Sequence, residues 1–440
     1  MYEKSIVKLH TNYIEYNPLV PFEIEDSGMS IGTAFFFDKK RLLTCYHCVE
    51  NSINLYISFP KISRKEYEVI LYTGIPEMDI AILELKDDVG DHEIIPLGDS
   101  DIIENQDKIV AIGYPRNSDS LKFTEGIISG KHNELLQIDA SINPGNSGGP
   151  LIKDGKVIGI NSSKLKDSEN MGFSIPINFY KQWVKYIKPN TLIRLPWINI
   201  KYSHLGEEGI KFFKKKGYPY DSGILVIESL EETVKAGDLI YSINNKVIDN
   251  FGYIENKTNK IPLKKYMKQL VYEQNIPIIG WRNKDKKTFN RTLIIPTINQ
   301  MCKIKNIYPN LEKFDYTILG GIIFMQLTKN HLEKLLTNET ISPMLKFSLF
   351  QYNQNDYENI IFISSILPGS PINSIELLTD GDIVVNINGK SVKTIKEVKS
   401  ALSNPIDGNV LIYCKRDKMF IYPIEKLLDI DKKLKERYNF

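Results

Sequence analysis

The apolar residues in the first third of the chain follow the pattern of short β-strands. Short runs of β-branched, aromatic and aliphatic residues recur there with turn residues between them, and few stretches have a helical period. The predicted strands are Thr33–Phe37, Ile53–Ser58, Ile80–Leu85, Lys108–Ile112 and Lys156–Ile160. This pattern predicts an all-β barrel or sandwich. A helix is predicted at about Ile177–Ile187, and Pro189 and Pro196 then mark a linker.

Beyond Pro196 the chain mixes strands with helices and contains an internal repeat. Lys235–Val247 (KAGDLIYSINNKV) and Thr379–Val392 (TDGDIVVNINGKSV) share a Gly-Asp pair, an apolar strand and an Asn-rich turn. A separation of about 140 residues indicates duplicated domains, because solenoid repeats have periods of about 20–50 residues. Each copy has a preceding β-run and a following helix: Gly223–Ile227 with Leu263–Gln274, and Ile360–Ser364 with Ile395–Leu402.

Composition excludes several classes of protein. Hydrophobic residues make up 42% of the 440 residues and charged residues 25%, which is typical of a globular chain and excludes general disorder. Lys plus Arg (56) nearly balances Asp plus Glu (54), so the net charge of +2 gives no long-range attraction to nucleic acid or to anionic membranes. No run approaches the ~18 apolar residues of a membrane helix. We therefore expect neither nucleic acid nor a membrane as a partner.

Residues 1–10 contain no apolar segment of the kind that a secretory signal needs. The four cysteines are too few for a disulfide scaffold in a chain of this length. Both features predict a cytoplasmic protein of a reducing compartment, which would be the host cytoplasm if the source is viral.

The strongest chemical signal is the octapeptide Asn143–Pro150 (NPGNSGGP). Glycine permits the tight backbone on which a serine hydroxyl and converging N–H groups can meet. This arrangement suits acyl transfer, with Ser147 as the nucleophile and with the Gly145–Asn146–Ser147 backbone as the oxyanion hole. A glycine-rich hairpin with an exposed serine is the alternative for a shorter Gly-Ser-Gly string.

A serine nucleophile needs a base, and His47 stands at the end of a predicted strand. Asp79 stands at the start of a later apolar strand, in the segment MDIAILEL. Burying a carboxylate there would cost free energy unless it were hydrogen-bonded. A hydrogen bond from the second ring nitrogen of His47 to the Asp79 carboxylate would meet that need. The sequence therefore predicts a triad of Ser147, His47 and Asp79.

These motifs resemble the trypsin-like serine proteases of the HtrA/Deg type. The matching segments follow in family order: GTAF from Gly32, DIA from Asp79, GYP from Gly113, TEGIIS from Thr124, GKVIGIN from Gly155 and GFSIP from Gly172. The resemblance implies two β-barrels with the triad between them and no metal or organic cofactor. Ser141, six residues before Ser147, would form the floor of the substrate pocket and Ile160 and Ser162 its walls, which favours uncharged aliphatic side chains.

Two cysteines flank the proposed base at Cys45 and Cys48, where relatives usually have a small residue before the histidine. A Cys-x-x-Cys pair can bind metal, but a zinc site needs about four ligands and no second cysteine pair is near in sequence. We interpret the pair as two thiols beside the site, with a redox role as the alternative.

The repeats resemble PDZ domains of the HtrA type. Residues Trp197, Ile198, Asn199 and Ile200 match the loop that receives a peptide C-terminus, with Asn199 in place of the usual glycine, so a degenerate module kept for assembly is the alternative. The run from Tyr316 to Thr328 resembles the start of the second PDZ in plant-type Deg proteases, which implies a role in oligomerisation.

The sequence thus predicts a mainly β protein in which a trypsin-like double barrel precedes two α/β PDZ domains. The expected boundaries are an N-terminal arm at 1–24, the protease at 25–190, the first PDZ at 195–299, and the second PDZ with a C-terminal helical extension at 301–440. The arm carries Tyr13, Ile14, Tyr16 and Phe22, and we expect it to pack on a neighbouring subunit. The alternative is that these residues pack on their own barrel.

The predicted function is ATP-independent endoproteolysis of unfolded or damaged proteins by a trimer or hexamer. The alternative is a proteolytically silent, PDZ-containing peptide-binding or chaperone-like protein on the same fold.

Overall fold

The computed structural model describes residues 2–115, 118–132, 134–162, 172–196, 198, 200–256, 259–296, 303–336, 359–375, 377–438 and 440. The chain divides into two compact units. One comprises Met1–Tyr13 with Gly28–Met301, and the other comprises Ile14–Ser27 with Cys302–Phe440.

The first unit begins with a closed six-stranded barrel. Its strands are β1 (Ile6–Tyr16), β2 (Ile24–Phe36), β3 (Arg41–Cys45), β4 (Ser52–Phe59), β5 (Ser63–Ile75) and β6 (Ile80–Leu85). They follow the order β5-β4-β1-β2-β3-β6, and β5 pairs with β6 to close the barrel. Inward-facing side chains such as Phe35 and Leu43 are fully buried, which explains the apolar runs seen in the sequence.

The expected arm at residues 1–24 is not a separate element. Strand β1 lies between β4 and β2 and pairs with β4 from Lys8↔Ser58 to Tyr13↔Ser52. Its Ile6, Val7 and Leu9 are fully buried. Tyr13, Ile14 and Tyr16, which suggested an arm, therefore belong to a strand of the barrel.

A second closed barrel follows. Its strands are β7 (Lys108–Gly113), β8 (Lys122–His132), β9 (Leu135–Ile138), β10 (Pro150–Lys153), β11 (Lys156–Ser162) and β12 (Gly172–Pro176). They close in the order β10-β11-β12-β9-β8-β7. The predicted helix is confirmed as α1 (Ile177–Trp183) with a 3₁₀ turn at Val184–Tyr186, and the short strand β13 (Thr191–Leu192) pairs with β5.

The first repeat forms a sheet in the order β14-β15-β16-β20-β21, with β17 on β16. Its strands are β14 (Ile200–His204), β15 (Ile224–Ser229), β16 (Asp238–Ile243), β17 (Lys246–Val247), β20 (Asn275–Arg282) and β21 (Lys287–Ile294). A small hairpin joins β18 (Tyr253–Asn256) to β19 (Asn259–Pro262), and the helices are α2 (Gly206–Lys215) and α3 (Leu263–Lys268). Helix α3 is shorter than the predicted Leu263–Gln274.

The second repeat, in the second unit, forms a sheet in the order β22-β23-β24-β25-β27-β28, with β26 on β25. Its strands are β22 (Tyr316–Leu319), β23 (Ile322–Gln326), β24 (Ile361–Ile366), β25 (Ile383–Ile387), β26 (Lys390–Ser391), β27 (Asn409–Cys414) and β28 (Lys418–Pro423). Its helices are α4 (Lys329–Leu336), α5 (Ile395–Leu402) and α6 (Ile424–Lys435). Across the described residues, no helix combines the length and apolar character that crossing a membrane requires.

The two repeats share one topology, and the predicted duplication is confirmed. The order β14-β15-β16-β20-β21 corresponds to β23-β24-β25-β27-β28. Each copy also buries the aspartate of its Gly-Asp pair. Asp238 forms an ion pair with Arg282 at 2.7 Å, and Asp382 forms one with Lys418 at 2.7 Å.

Residues 14–27 pack within the second unit. Val20 belongs to the core of that unit, and the ring of Phe22 lies 5.4 Å from that of Phe440. The Ser364 hydroxyl donates to the carbonyl of Leu19 at 2.8 Å. Phe22 is thus half-buried against the second PDZ of its own chain, and its packing on a neighbouring subunit stays a prediction.

Replacing Asp238 with alanine should strongly destabilise the first repeat. The carboxylate is buried, binds Arg282 through both oxygens and accepts the backbone N–H of Lys235. Removing one member of such a pair leaves the other without compensation, so we expect the free energy of unfolding to fall by about 3–5 kcal/mol. Urea denaturation measures the loss. The exposed Asp221, paired with Lys214, is the matched control, and a D221A loss as large as that of D238A would contradict the argument.

Candidate active site

The end of β3 places His47 beside Asp79. Strand β3 pairs with β6 through Cys45↔Ile80, and the chain then turns through a 3₁₀ helix at Tyr46–Cys48. This register brings the turn that carries His47 next to the residue before β6. The Nδ1 atom of His47 lies 2.7 Å from Oδ2 of Asp79 and 3.0 Å from Oδ1. The hydrogen bond predicted from sequence is present.

Asp79 holds more than the imidazole ring. Its Oδ1 accepts the backbone N–H of His47 at 2.9 Å, and its own carbonyl accepts the N–H of Tyr46 at 3.0 Å. The backbone of Asp79 is left-handed, with φ of +56°, a conformation that aspartate tolerates better than most residues. Both the ring and the backbone of the histidine turn are therefore fixed by one residue.

A third group supports Asp79 from the second barrel. Ser162, the last residue of β11, donates its hydroxyl to Oδ2 of Asp79 at 3.1 Å. The sequence analysis assigned Ser162 to the pocket wall and missed this contact. The sequence offered one signal for this contact, a serine at the end of the strand that follows the nucleophile motif. That its partner is Asp79 becomes evident only from the packing of the two barrels.

The Ser147 loop is anchored to the first barrel by Thr33. The hydroxyl of Thr33 donates to the carbonyl of Gly145 at 2.7 Å, and its N–H donates to the carbonyl of Ser147 at 2.9 Å. The Cys48 thiol, next to His47 in sequence, also contacts the carbonyl of Ser147 at 3.6 Å. The carbonyl of Ser147 thus lies against the segment that bears His47.

The loop needs glycine at specific points. Gly145 and Gly148 have φ of +97° and +84°, and a Cβ on Gly148 would lie 2.1 Å from the carbonyl oxygen of Thr33. The Gly145 N–H donates to no group in the described part of the chain. Asn146 is buried between Gly145 and Ser147. The N–H of Gly145 is therefore available to an incoming oxyanion.

The surroundings favour a charged imidazole. Burial alone would lower the pKa of His47, but the hydrogen bond to Asp79 and the contact with the Cys48 thiol outweigh burial. The net effect raises the pKa above its ordinary value of 6.5. A base of this kind stabilises the proton that it takes from a nucleophile.

The predicted pocket residues have different environments. Ser141 is exposed, and Ile160 is fully buried between the neighbouring strands β10 and β12. Ser162 directs its hydroxyl to Asp79, as described above. The pocket assignment stays a prediction.

The predicted peptide-binding residues lead into the first strand of the first repeat. Ile198 is half-buried against the core of that repeat, and Ile200 begins β14. Trp197 and Asn199 lie outside the described residues.

Two protein families match separate parts of this chain. Residues 32–160 match the family described as trypsin-like peptidase domain, and residues 309–439 match the PDZ domain family. A putative mitochondrial Do-like protease 3 of Arabidopsis thaliana is 25% identical, and the match covers 94% of this chain and 75% of that protein. The serine protease Do-like HtrA of Bacillus subtilis (strain 168) is 29% identical over 53% of this chain and 58% of its own length.

Among solved structures, the HtrA-type protease AlgW with a tripeptide has the same fold. Its TM-score is 0.50 at 24% identity, and the match covers 67% of this chain and 94% of the AlgW chain. The predicted fold class, a trypsin-like double barrel followed by PDZ domains, is confirmed.

The raised pKa of His47 predicts the pH dependence of hydrolysis at this site. A base works only when neutral, so kcat/KM should fall as the pH drops through the pKa of His47, with its acid limb above pH 6.5. In Asp79→Asn the attraction for the proton is lost, so the limb should move to lower pH. In the same variant kcat should fall by about 10³–10⁴. Rates on a fluorogenic peptide across the pH range measure both effects, and an unmoved limb in Asp79→Asn would contradict this account.

Proposed function

Since the chain belongs to the HtrA/Deg family of trypsin-like serine proteases, we propose that Ser147, His47 and Asp79 carry out its peptide-bond hydrolysis. The protein is a serine endopeptidase, and the alternative of a proteolytically silent peptide-binding protein is not favoured. The observation that carries the residue assignment is the bond between His47 Nδ1 and Asp79, at 2.7 Å, beside the anchored Ser147 loop.

The mechanism follows from this arrangement. Asp79 holds Nδ1, which leaves Nε2 of His47 to take the proton of the Ser147 hydroxyl as that oxygen attacks the substrate carbonyl. The N–H groups of Gly145 and Ser147 stabilise the oxyanion, and His47 then protonates the leaving amine. Water repeats the sequence to release the acyl group. No step requires energy from ATP.

The substrates that we propose are unfolded or damaged proteins. Extended segments of such chains can enter a cleft between barrels, whereas folded domains cannot present their backbone. Ser141 is uncharged and exposed, which favours cleavage after small or medium aliphatic residues rather than after lysine or arginine.

We assign the capture of peptide C-termini to the first PDZ. Its strand β14 is at the edge of its sheet, so a peptide can add a strand there. In the second PDZ the corresponding strand β23 already pairs with β22 along Tyr316–Leu319. The turn before β23 is also occupied, because the Gly321 N–H donates to the Asp431 carboxylate at 2.8 Å. Assembly is the role that we propose for the second PDZ.

A reducing compartment such as the cytoplasm suits the cysteines. Cys45, Cys48 and Cys414 are free and buried. Two of them lie beside the active site, where oxidation would alter the histidine turn. The proposed location therefore rests on thiol chemistry.

Digestion of β-casein tests the assignment. Ser147→Ala and His47→Ala should each abolish cleavage to a similar degree, because triad residues act as one unit. The cleavage sites of the wild-type enzyme, mapped by mass spectrometry, should follow mainly Val, Ala, Ile or Leu. Exposed Ser129→Ala serves as the control. Undiminished digestion by Ser147→Ala would refute the nucleophile, and cleavage mainly after Lys or Arg would refute the pocket.

Light scattering tests the proposed assembly. We expect three or six copies of the 50.6 kDa chain at micromolar concentration, and loss of the hexamer when residues 301–440 are removed. Since that deletion uncovers Val20 and Phe22, the truncated chain should carry serine at both positions to prevent spurious association. A monomeric full-length chain would contradict the assembly, and an unchanged particle after truncation would remove the role of the second PDZ.

A further inference from the structure

The turn that carries Asp79 is bound by the linker between the second barrel and the first PDZ. Strand β13 of this linker pairs in parallel with the end of β5. The Ile193 N–H then donates to the carbonyl of Gly74 at 2.8 Å. The Leu195 N–H donates to the carboxylate of Glu77 at 2.6 Å. The linker therefore follows the chain from β5 into the turn.

Glu77 belongs to the short 3₁₀ turn Pro76–Met78, which leads directly to Asp79. The N–H of Asp79 donates to the carbonyl of Pro76 at 3.0 Å. The left-handed backbone of Asp79, with φ of +56°, costs free energy in any residue other than glycine and has to be held by its surroundings. The hydrogen bond between Leu195 and Glu77 fixes the turn from its linker side.

The first PDZ holds the linker in turn. The hydroxyl of Tyr272 donates to the carbonyl of Arg194, the residue before Leu195. The carbonyl of Tyr272 accepts the hydroxyl of Tyr186 at 2.8 Å, and its ring packs edge-on at 5.2 Å from that of the fully buried Trp183. Contacts thus continue from the first PDZ, through the linker, to the turn that carries the catalytic acid.

We infer that Glu77 is a positioning residue for Asp79, and that the first PDZ contributes to this positioning through Tyr272. The role rests on the catalytic assignment proposed above. By fixing the turn, Glu77 keeps the carboxylate of Asp79 aligned with Nδ1 of His47, which stabilises the charged imidazole. Glu77 acts here as a hydrogen-bond acceptor, so an amide oxygen at the same position would serve as well.

Kinetics on a short fluorogenic peptide test Glu77, which is exposed, so that its replacement disturbs no core packing. Glu77→Ala should lower kcat about 10-fold, the equivalent of one hydrogen bond to a charged group, and leave KM unchanged. The acid limb of kcat/KM should move to lower pH, because a misaligned Asp79 holds the ring proton of His47 less firmly. Loss of stability alone would not move the limb.

Glu77→Gln should restore both kcat and the position of the limb. Glu66→Ala, which changes another exposed glutamate on β5, is the matched control and should behave as the wild type does. An unmoved limb in Glu77→Ala, or a glutamine variant as impaired as the alanine variant, would overturn the role of Glu77.

Tyr272→Phe tests the contribution of the first PDZ. It should move the limb in the same direction as Glu77→Ala, and the double variant should move it no further, because both changes release one linker. Tyr218→Phe is the matched control, since it removes the bond from a buried phenol of the same module to the carbonyl of Ser222. Equal limbs in the two tyrosine variants would overturn this contribution.

The titration of the His47 ring separates the inference from the proposed catalysis. NMR of the full-length protein with ¹⁵N-labelled histidine follows this titration without substrate, and Glu77→Ala should lower the pKa of His47. A lowered pKa in a protein that cleaves no peptide would refute the catalytic assignment and support the positioning of the ring. An active enzyme in which Glu77→Ala changes neither the titration nor the limb would refute the positioning role alone.

Discussion

The hydrogen bonds of Asp79 are the constraint on which the active site depends. Its carboxylate accepts from the ring and the backbone of His47 and from Ser162, and its carbonyl accepts from Tyr46. The half-buried carboxylate is thereby compensated, which burial requires. Because these donors come from the histidine turn of one barrel and from the end of strand β11 in the other, a single acid fixes how the catalytic groups of both barrels meet.

The serine loop depends on a second constraint, the close approach of backbone to backbone. Thr33 binds the loop at Gly145 and Ser147, and Thr44 in turn donates its hydroxyl to the carbonyl of Thr33 at 2.7 Å. Side chains at Gly148 or Gly149 would collide with the carbonyls of Thr33 or Ile112, since a Cβ would lie 2.1 and 2.0 Å from them. The glycines of the octapeptide are thus required by packing as well as by the conformation of the backbone.

The sequence predicts those parts of the protein whose signal is local. The strands, the duplicated Gly-Asp motif and the pairing of His47 with Asp79 follow from apolar periodicity and from residue types within short segments. Two features depend on contacts between distant segments and could not be predicted. They are the support of Asp79 by Ser162 and the packing of Phe22 against the second PDZ. The place of residues 6–16 was left open, because packing on their own barrel was the alternative to a contact with a neighbouring subunit. Apolar residues near a chain terminus indicate burial, but their pattern does not identify the surface that buries them.

The two PDZ modules share a buried ion pair and differ at the edge strand and at the turn before it. Both retain the buried aspartate and its cationic partner, Asp238 with Arg282 and Asp382 with Lys418. They differ at the edge of the sheet, since among the described residues β14 is an end strand whereas β23 pairs with β22. The Gly320–Gly321 turn has φ of +64° and +78°, and the buried Asp431 fills it from helix α6. In the second module a carboxylate of the chain itself therefore occupies that turn. Shared topology therefore does not imply shared ligands. The edge strand of each sheet and the turn before it determine what each module can bind.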